Sequence, residues 1–258
     1  MAEFAAPQAD VGQRNRRMLR GRLSLWAVLV AASTTILLAA VGVVAIWWAA
    51  TYDRETSSVT ATIPSTLLGI ELKVARGDVE IVAGNPNEVF VTRTEWSAFG
   101  RRPEERRSIL EGVLRIDSSC ASLVLGKCAA DYRLTVPENV PVTVSAERGD
   151  IRLNAYRGSA RVSTEGGSIT ADAFCGSLLH ATAKGGDIDV VASCSPERIV
   201  VRTDSGDVRV AVPQATYSID ADTNAGHLAV RGLALADRAR FAIQALSDSG
   251  DVTVEARS

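Results

Sequence analysis

A glycine, usually followed by aspartate and a branched aliphatic residue, returns seven times along this chain and limits what it can fold into. The tripeptide stands at Gly77-Asp78-Val79, Gly149-Asp150-Ile151, Gly167-Ser168-Ile169, Gly186-Asp187-Ile188, Gly206-Asp207-Val208, Gly226-His227-Leu228 and Gly250-Asp251-Val252. From Gly149 onward the glycines lie 18, 19, 20, 20 and 24 residues apart. A repeat of about 20 residues is the mark of a solenoid in which each repeat forms one coil.

The residues around each glycine sort onto two faces. Val79, Ile151, Ile169, Ile188, Val208, Leu228 and Val252 lie two positions after it, and Ile81, Leu153, Ala171, Val190, Val210, Val230 and Val254 four after. Leu72, Val144, Val162, Ala181, Val201, Ala221 and Ala245 lie five before it. Mostly polar residues occupy the positions between, as Glu80, Arg152, Thr170, Asp189, Arg209 and Thr253 do. Alternation with period two marks a strand with one buried face. Each repeat therefore reads as strand, tight turn at the glycine, strand. The glycine serves a positive φ, and the adjoining aspartate is expected to bond amides of its own turn. Inward positions hold small or β-branched residues, and aromatics are 5% of the chain, which suits a narrow stacked core. The predicted fold is an all-β, β-solenoid or β-helix-like repeat domain behind one N-terminal transmembrane helix. A Greek-key sandwich is the competing fold. Taken in chain order, the Gly250 coil ends the stack, and Glu255 and Arg257 guard its last edge.

Residues 23–50 carry no charge and exceed the ~20 apolar residues needed to cross a bilayer. Trp26 and Trp47 fall where two interfacial aromatic belts would lie. Arg14, Arg16, Arg17, Arg20 and Arg22 precede the span, which places the N-terminus in the cytoplasm and exports the remainder to the cell surface. A cleaved signal peptide is the alternative, although its apolar stretch is shorter, about 7–15 residues. The chain then divides into a basic cytoplasmic tail (1–22), a single-pass span in the plasma membrane (23–50), a polar tether (51–62) and an extracytoplasmic domain (63–258). Within that domain the Arg/Glu-rich stretch 97–108 reads as a solvated loop or a single helical turn.

All four cysteines lie beyond the span, and an even number in an exported segment implies disulfides. Cys175 follows Gly167 by eight residues and Cys194 follows Gly186 by eight, so equal phase in consecutive coils brings them within bridging distance. Cys120 and Cys128 bracket a short segment that reads as a stapled loop. Buried free thiols are the competing interpretation. With no CxxC pair and only His180 and His227 to assist, the spacing offers no zinc site.

Catalytic chemistry finds little footing. His227 occupies the slot that aspartate fills in sister repeats, and His180 lies on a strand, so neither reads as a general base. Phosphate loops, metalloprotease histidine pairs and dinucleotide fingerprints are absent from the sequence. Turn aspartates stacked along one edge could attract calcium, but six to eight oxygens are required and the calcium-binding nonapeptide does not occur. Arg76-Gly77-Asp78 and Arg148-Gly149-Asp150 spell an integrin tripeptide only because the turn itself needs Gly-Asp. A net charge of −2 without a concentrated basic face gives nucleic acid no footprint. No cofactor, metal or catalytic residue is expected. The expected partners are the lipid bilayer, through 23–50, and an unidentified cell-envelope or protein partner.

The turns EGGSITA, KGGDIDV, DSGDVRV and DSGDVTV, with CASLVLGKCAADYRLTVPENVPVTV and VPQATYSIDADTNAGHLAV, resemble the bacterial "putative adhesin" family of unknown function, in its membrane-anchored actinobacterial type. The resemblance spans residues 63–258. It implies a surface-tethered β-solenoid with no established enzymatic residues. The expected function is that of a non-enzymatic, cell-surface interaction or adhesin-like module. An envelope-stress or signalling accessory protein is the first alternative, and a carbohydrate-active β-helix enzyme the second.

Overall fold

The computed structural model describes residues 12–52, 58–64, 67–85, 88–97, 102–120 and 128–257. The chain divides into two compact units, Met1–Tyr52 and Asp53–Ser258. In the first, one helix runs Gly12–Tyr52, and its stretch Trp26–Trp47 is long and apolar enough to cross a membrane. None of that stretch is buried against protein. The hydroxyls of Ser33, Thr34 and Thr35 donate to carbonyls of Val30 and Ala31 at 2.7–3.0 Å, which hides their polarity within the helix.

The second unit is a β-solenoid of two ten-stranded sheets. Each coil contributes one strand to each sheet, and the repeat glycine turns the chain from one sheet to the other. The strands Gly69–Arg76, Val142–Arg148, Ala160–Gly166, Leu178–Gly185, Arg198–Ser205, Phe241–Ser247 and Thr216–Thr223 lead into the turns. Val79–Gly84, Ile151–Asn154, Ile169–Phe174, Ile188–Ala192, Val208–Val212, Val252–Ala256 and Leu228–Arg231 lead out of them. Neighbours in both sets are parallel and in register, so like positions stack. Val79, Ile151, Ile169, Ile188, Val208 and Val252 form one buried column. Leu72, Val144, Val162, Ala181, Val201 and Ala245 form the facing one. Each fully buried Val, Leu or Ile is worth about 1.5–3 kcal/mol, and the columns sum these contributions along the whole stack.

The coil order departs from chain order at the C-terminal end. Val252–Ala256 pairs with Val208–Val212 on one side and with Leu228–Arg231 on the other, and Phe241–Ser247 likewise lies between Arg198–Ser205 and Thr216–Thr223. The Gly250 coil is thus interior and the Gly226 coil is the terminal one, which corrects the expectation drawn from chain order. The 24-residue spacing gives the chain length to pass outward and return. Glu255 does not guard an edge. It sits on an interior strand and pairs with Arg209 at 2.8 Å.

A similar detour occurs at the other end. After Val79–Gly84 the chain runs outward through Glu88–Ser97 and Glu104–Leu110, lays Val113–Ser119 and Cys128–Pro137 as a further parallel coil against Gly69–Arg76 and Val79–Gly84, then crosses to the other side of that pair at Val142–Arg148. Antiparallel strands cover this end. Ser58–Pro64 and Cys128–Pro137 flank Glu88–Ser97, and Glu104–Leu110 pairs with Val113–Ser119. Two sequence expectations are revised here. Part of the polar stretch 51–62 is strand, because Val59, Ala61 and Ile63 alternate with Ser58, Thr60 and Thr62. Much of the stretch 97–108 is strand as well, with residues 98–101 outside the described residues. Its Glu105 is no solvated charge. Its carboxylate accepts the Tyr132 hydroxyl at 2.8 Å and lies 3.2 Å from the Arg93 guanidinium, which also pairs with Glu95 at 2.8 Å and donates to the Pro103 carbonyl at 2.7 Å.

The core is also less purely aliphatic than composition suggests. Tyr132, Tyr156, Phe174 and Tyr217 are all buried. Tyr156 donates its hydroxyl to the Val140 carbonyl, and burial pushes its pKa well up.

Candidate functional site

The edge formed by the repeat turns is the most regular feature of the molecule. The amide of Asp78 donates to Asp131 Oδ1 at 2.9 Å, that of Asp150 to Asp78 at 2.9 Å, and that of Ser168 to Asp150 at 2.9 Å. The Asp187 amide reaches Ser168 Oγ at 3.4 Å. The series continues from Asp207 to Asp187, from Asp251 to Asp207, and from His227 to Asp251, each at 2.8 Å. Every turn carboxylate therefore holds the amide of the next coil, and not one of its own turn as local sequence suggested. A short side chain two bonds from the backbone spans the inter-strand spacing of about 4.8 Å, which accounts for aspartate recurring here. Ser168 is the weak rung. Its hydroxyl is a poorer acceptor than a carboxylate, and the bond is correspondingly long.

The glycines are required for two reasons that act together. At Gly206 φ is 144°, and a Cβ would stand 2.3 Å from the Gly186 carbonyl oxygen of the adjacent coil. At Gly226 φ is not in the left-handed range, yet a Cβ would meet the Gly250 oxygen at 2.0 Å. Gly77, Gly149, Gly167, Gly186 and Gly250 are stacked in the same manner.

A second column lies just inside the turns, and the sequence reading missed it. Thr164, Thr203, Ser247 and Thr223 donate hydroxyls to the carbonyls of Gly149, Gly186, Gly206 and Gly250 at 2.7–3.1 Å. The signal is a Thr or Ser three residues before the glycine in VSTEGG, VRTDSG, ADTNAG and ALSDSG. These hydroxyls satisfy part-buried carbonyls of the turns, and an acceptor left unpaired in a buried place costs about 1–3 kcal/mol.

Both cysteine pairs are bridged: Cys175 to Cys194 with Cα atoms 5.1 Å apart, and Cys120 to Cys128 at 5.9 Å. The interior of the latter loop, residues 121–127, lies outside the described residues. His180 sits on the outward face of its strand. His227 ends the aspartate ladder, with Nδ1 3.2 Å from Asp251 Oδ1, so the two histidines do not converge. The His227 amide, and then its ring, hold the Asp251 carboxyl below the usual aspartate range. Among the described residues no group of three or more His, Cys, Asp or Glu side chains is arranged to hold a metal.

Outward, the sheets present paired charge. Arg133 meets Glu80 at 3.1 Å, Arg152 meets Asp150 at 2.9 Å, and Arg115 meets Glu71 at 3.1 Å. Open depressions of 220 and 280 Å³ lie between such side chains. The first is lined by Asp78, Glu80, Asp131 and Arg133 among others, and the second by Arg161, Ser163, His180 and Thr182. Such an arrangement makes a regular, polar, two-sided plate.

The chain belongs to the Toastrack DUF4097 family, whose model matches residues 45–258. No curated protein matches it in sequence. Among solved structures it is similar to one described as a "putative cell adhesion protein" from Clostridium sporogenes ATCC 15579. That similarity has 10% identity, a TM-score of 0.50, and coverage of 79% of this chain and 100% of that one. A "putative adhesin" from Bacteroides fragilis NCTC 9343 is similar at 9% identity and TM-score 0.41, over 78% of this chain and 97% of that one. A "putative lipid binding protein" from Parabacteroides distasonis ATCC 8503 is similar at 11% identity and TM-score 0.33, over 80% and 98%. At 10% identity the likeness to the Clostridium protein extends to the fold alone.

Proposed function

We propose that this protein is a non-enzymatic, single-pass membrane protein whose solenoid stands outside the cytoplasm as a cell-surface interaction or adhesin-like module. The observation that carries the reading is the pair of outward sheet faces. They are broad, polar and stiffened by register, and their depressions are open, whereas ligand pockets are enclosed clefts of about 300–1,000 Å³. Repeat stacks of this kind recognise partners over an extended surface. The apolar stretch Trp26–Trp47 supplies the anchor, and the two disulfides fit an oxidising compartment. The Clostridium protein of the same fold carries an adhesion description, in keeping with this role.

The test is retention of the purified Asp53–Ser258 unit on intact cells and isolated envelopes. Saturable retention is expected, reduced by charge reversal at Arg133, Arg152 and Arg161 on the outward faces. Absence of saturable retention on either preparation would remove the basis for an interaction module.

A further inference from the structure

The two ends of the solenoid are finished differently. Antiparallel strands cover one. The other ends at the Gly226 coil, where the inward columns run out into solvent. Leu228 continues the column of Val252 and is 48% exposed, Val230 continues that of Val254 at 39%, and Leu235 beside them is 61% exposed. Terminal repeats of a solenoid ordinarily carry a polar outer face, and this one is apolar.

Backbone is open there as well. The short strand Ala234–Leu235 pairs with Thr216 and Tyr217, and Ala236 and Asp237 extend the cover to Ser218, so Ile219–Thr223 forms an uncovered edge of one sheet. Leu228–Arg231 is the uncovered edge of the other. The first edge carries Asp220 and Asp222 on its outward face, and the second carries Arg231. The two edges of one coil are thus complementary in charge, but they lie on opposite sheets and cannot meet each other.

We propose that this open end binds the same end of a second copy, through a two-fold axis parallel to the strands. That axis sets each Leu228–Arg231 antiparallel to the other copy's Asp220–Thr223. It keeps the two turn edges together, and the register follows from this. Leu228 faces Thr223, Val230 faces Ala221, Ala229 faces Asp222 and Arg231 faces Asp220. Inward residues meet inward residues, outward meet outward, and the Arg231–Asp220 pair forms twice. The contact is isologous and closes as a dimer, and it stays clear of the Thr216–Tyr217 segment already taken.

Directly opposed residues in antiparallel strands have Cβ atoms about 4.5–5.5 Å apart, within disulfide reach. The full chain in its membrane, carrying Asp220→Cys with Arg231→Cys, is expected to run mainly as a disulfide-linked dimer after mild oxidation. Within one chain the two positions point away from each other. The pair one register away, Asp220→Cys with Ala229→Cys, is expected to cross-link poorly. Sedimentation of the full chain in detergent provides a second readout. Arg231→Asp should weaken association about tenfold, since two opposed pairs become repulsive, and Asp220→Arg in the same chain should restore it. A monomer in both experiments, equal cross-linking in the off-register pair, or failure of the charge swap to restore association would each overturn the proposal.

Discussion

At Asp207 one residue links two coils, because its backbone amide donates to Asp187 while its carboxylate accepts the amide of Asp251. Asp207→Ala removes the acceptor, which for a solvent-facing bond costs about 0.5–1.5 kcal/mol. Asp207→Asn retains an acceptor oxygen and relieves repulsion between stacked carboxylates. Thermal melts should therefore rank wild type and the asparagine variant together, above alanine, and equal losses in the two variants would contradict the ladder. The Asp251 carboxyl, depressed chiefly by the His227 amide, gives a pH dependence of definite sign. Its stabilising share is complete above the ordinary aspartate range and disappears as pH falls through its lower folded value. An NMR titration of that carboxyl should show a midpoint below that of a free aspartate, and one at or above it would remove the rung. Glycine makes a sharper test. Gly206 and Gly250 both lie in interior coils, so Gly206→Val and Gly250→Val should be similarly damaging, each with backbone strain of about 1–3 kcal/mol plus a clash with a neighbouring carbonyl. Gly226→Val disturbs one neighbour and should melt higher than either.

Elements in this fold are defined by what they stack on, and that explains which were legible in the sequence. The repeat strands could be read because each buried column recurs at a fixed distance from a glycine. The phase of Cys175 and Cys194 was legible on the same basis, and replacing both by serine should cost about 3 kcal/mol for a 19-residue loop, measured by denaturant unfolding. The antiparallel cap follows no repeat, so Glu104–Leu110 looked like a charged loop. Its carboxylate at Glu105 is held by Arg93 and Tyr132, which come from two other strands, and by Arg107 two residues on. Removing Arg93 takes their shared counter-charge from the buried Glu95 and Glu105 and leaves Glu105 to Arg107, so Arg93→Ala should lose about 3–5 kcal/mol. An exposed-pair loss below about 1 kcal/mol would return Glu105 to the solvent. The hydroxyl column was visible in principle as a second recurrence, but Val74, Ala146 and Ala183 break it in three coils.

For the whole molecule, composition and period disclosed the architecture, while the order of coils stayed hidden because parallel strands of similar sequence can stack in any sequence of neighbours. Length alone left a trace, in the long final spacing. Orientation in the cell has its own test. Protease added to spheroplasts should digest the Asp53–Ser258 unit and spare the residues before Trp26, and a protected C-terminal unit would reverse the proposed topology. The tucked-in Gly250 coil has a further consequence, for the time course of synthesis. A solenoid assembled strictly from its first repeat can add each coil as it leaves the ribosome, but here Thr216–Arg231 emerges before the strands on which it rests. Those residues must wait, apolar and without a partner, until Phe241–Ala256 has been made and seated against the Gly206 coil. Thr216–Ala256, about forty residues, therefore joins in a single late step, and a chain ending at Arg231 should show native exchange protection through Ala192, lose it at Gly206 and Val208, whose amides donate to Ser249 and Asp251, and show none beyond Val212.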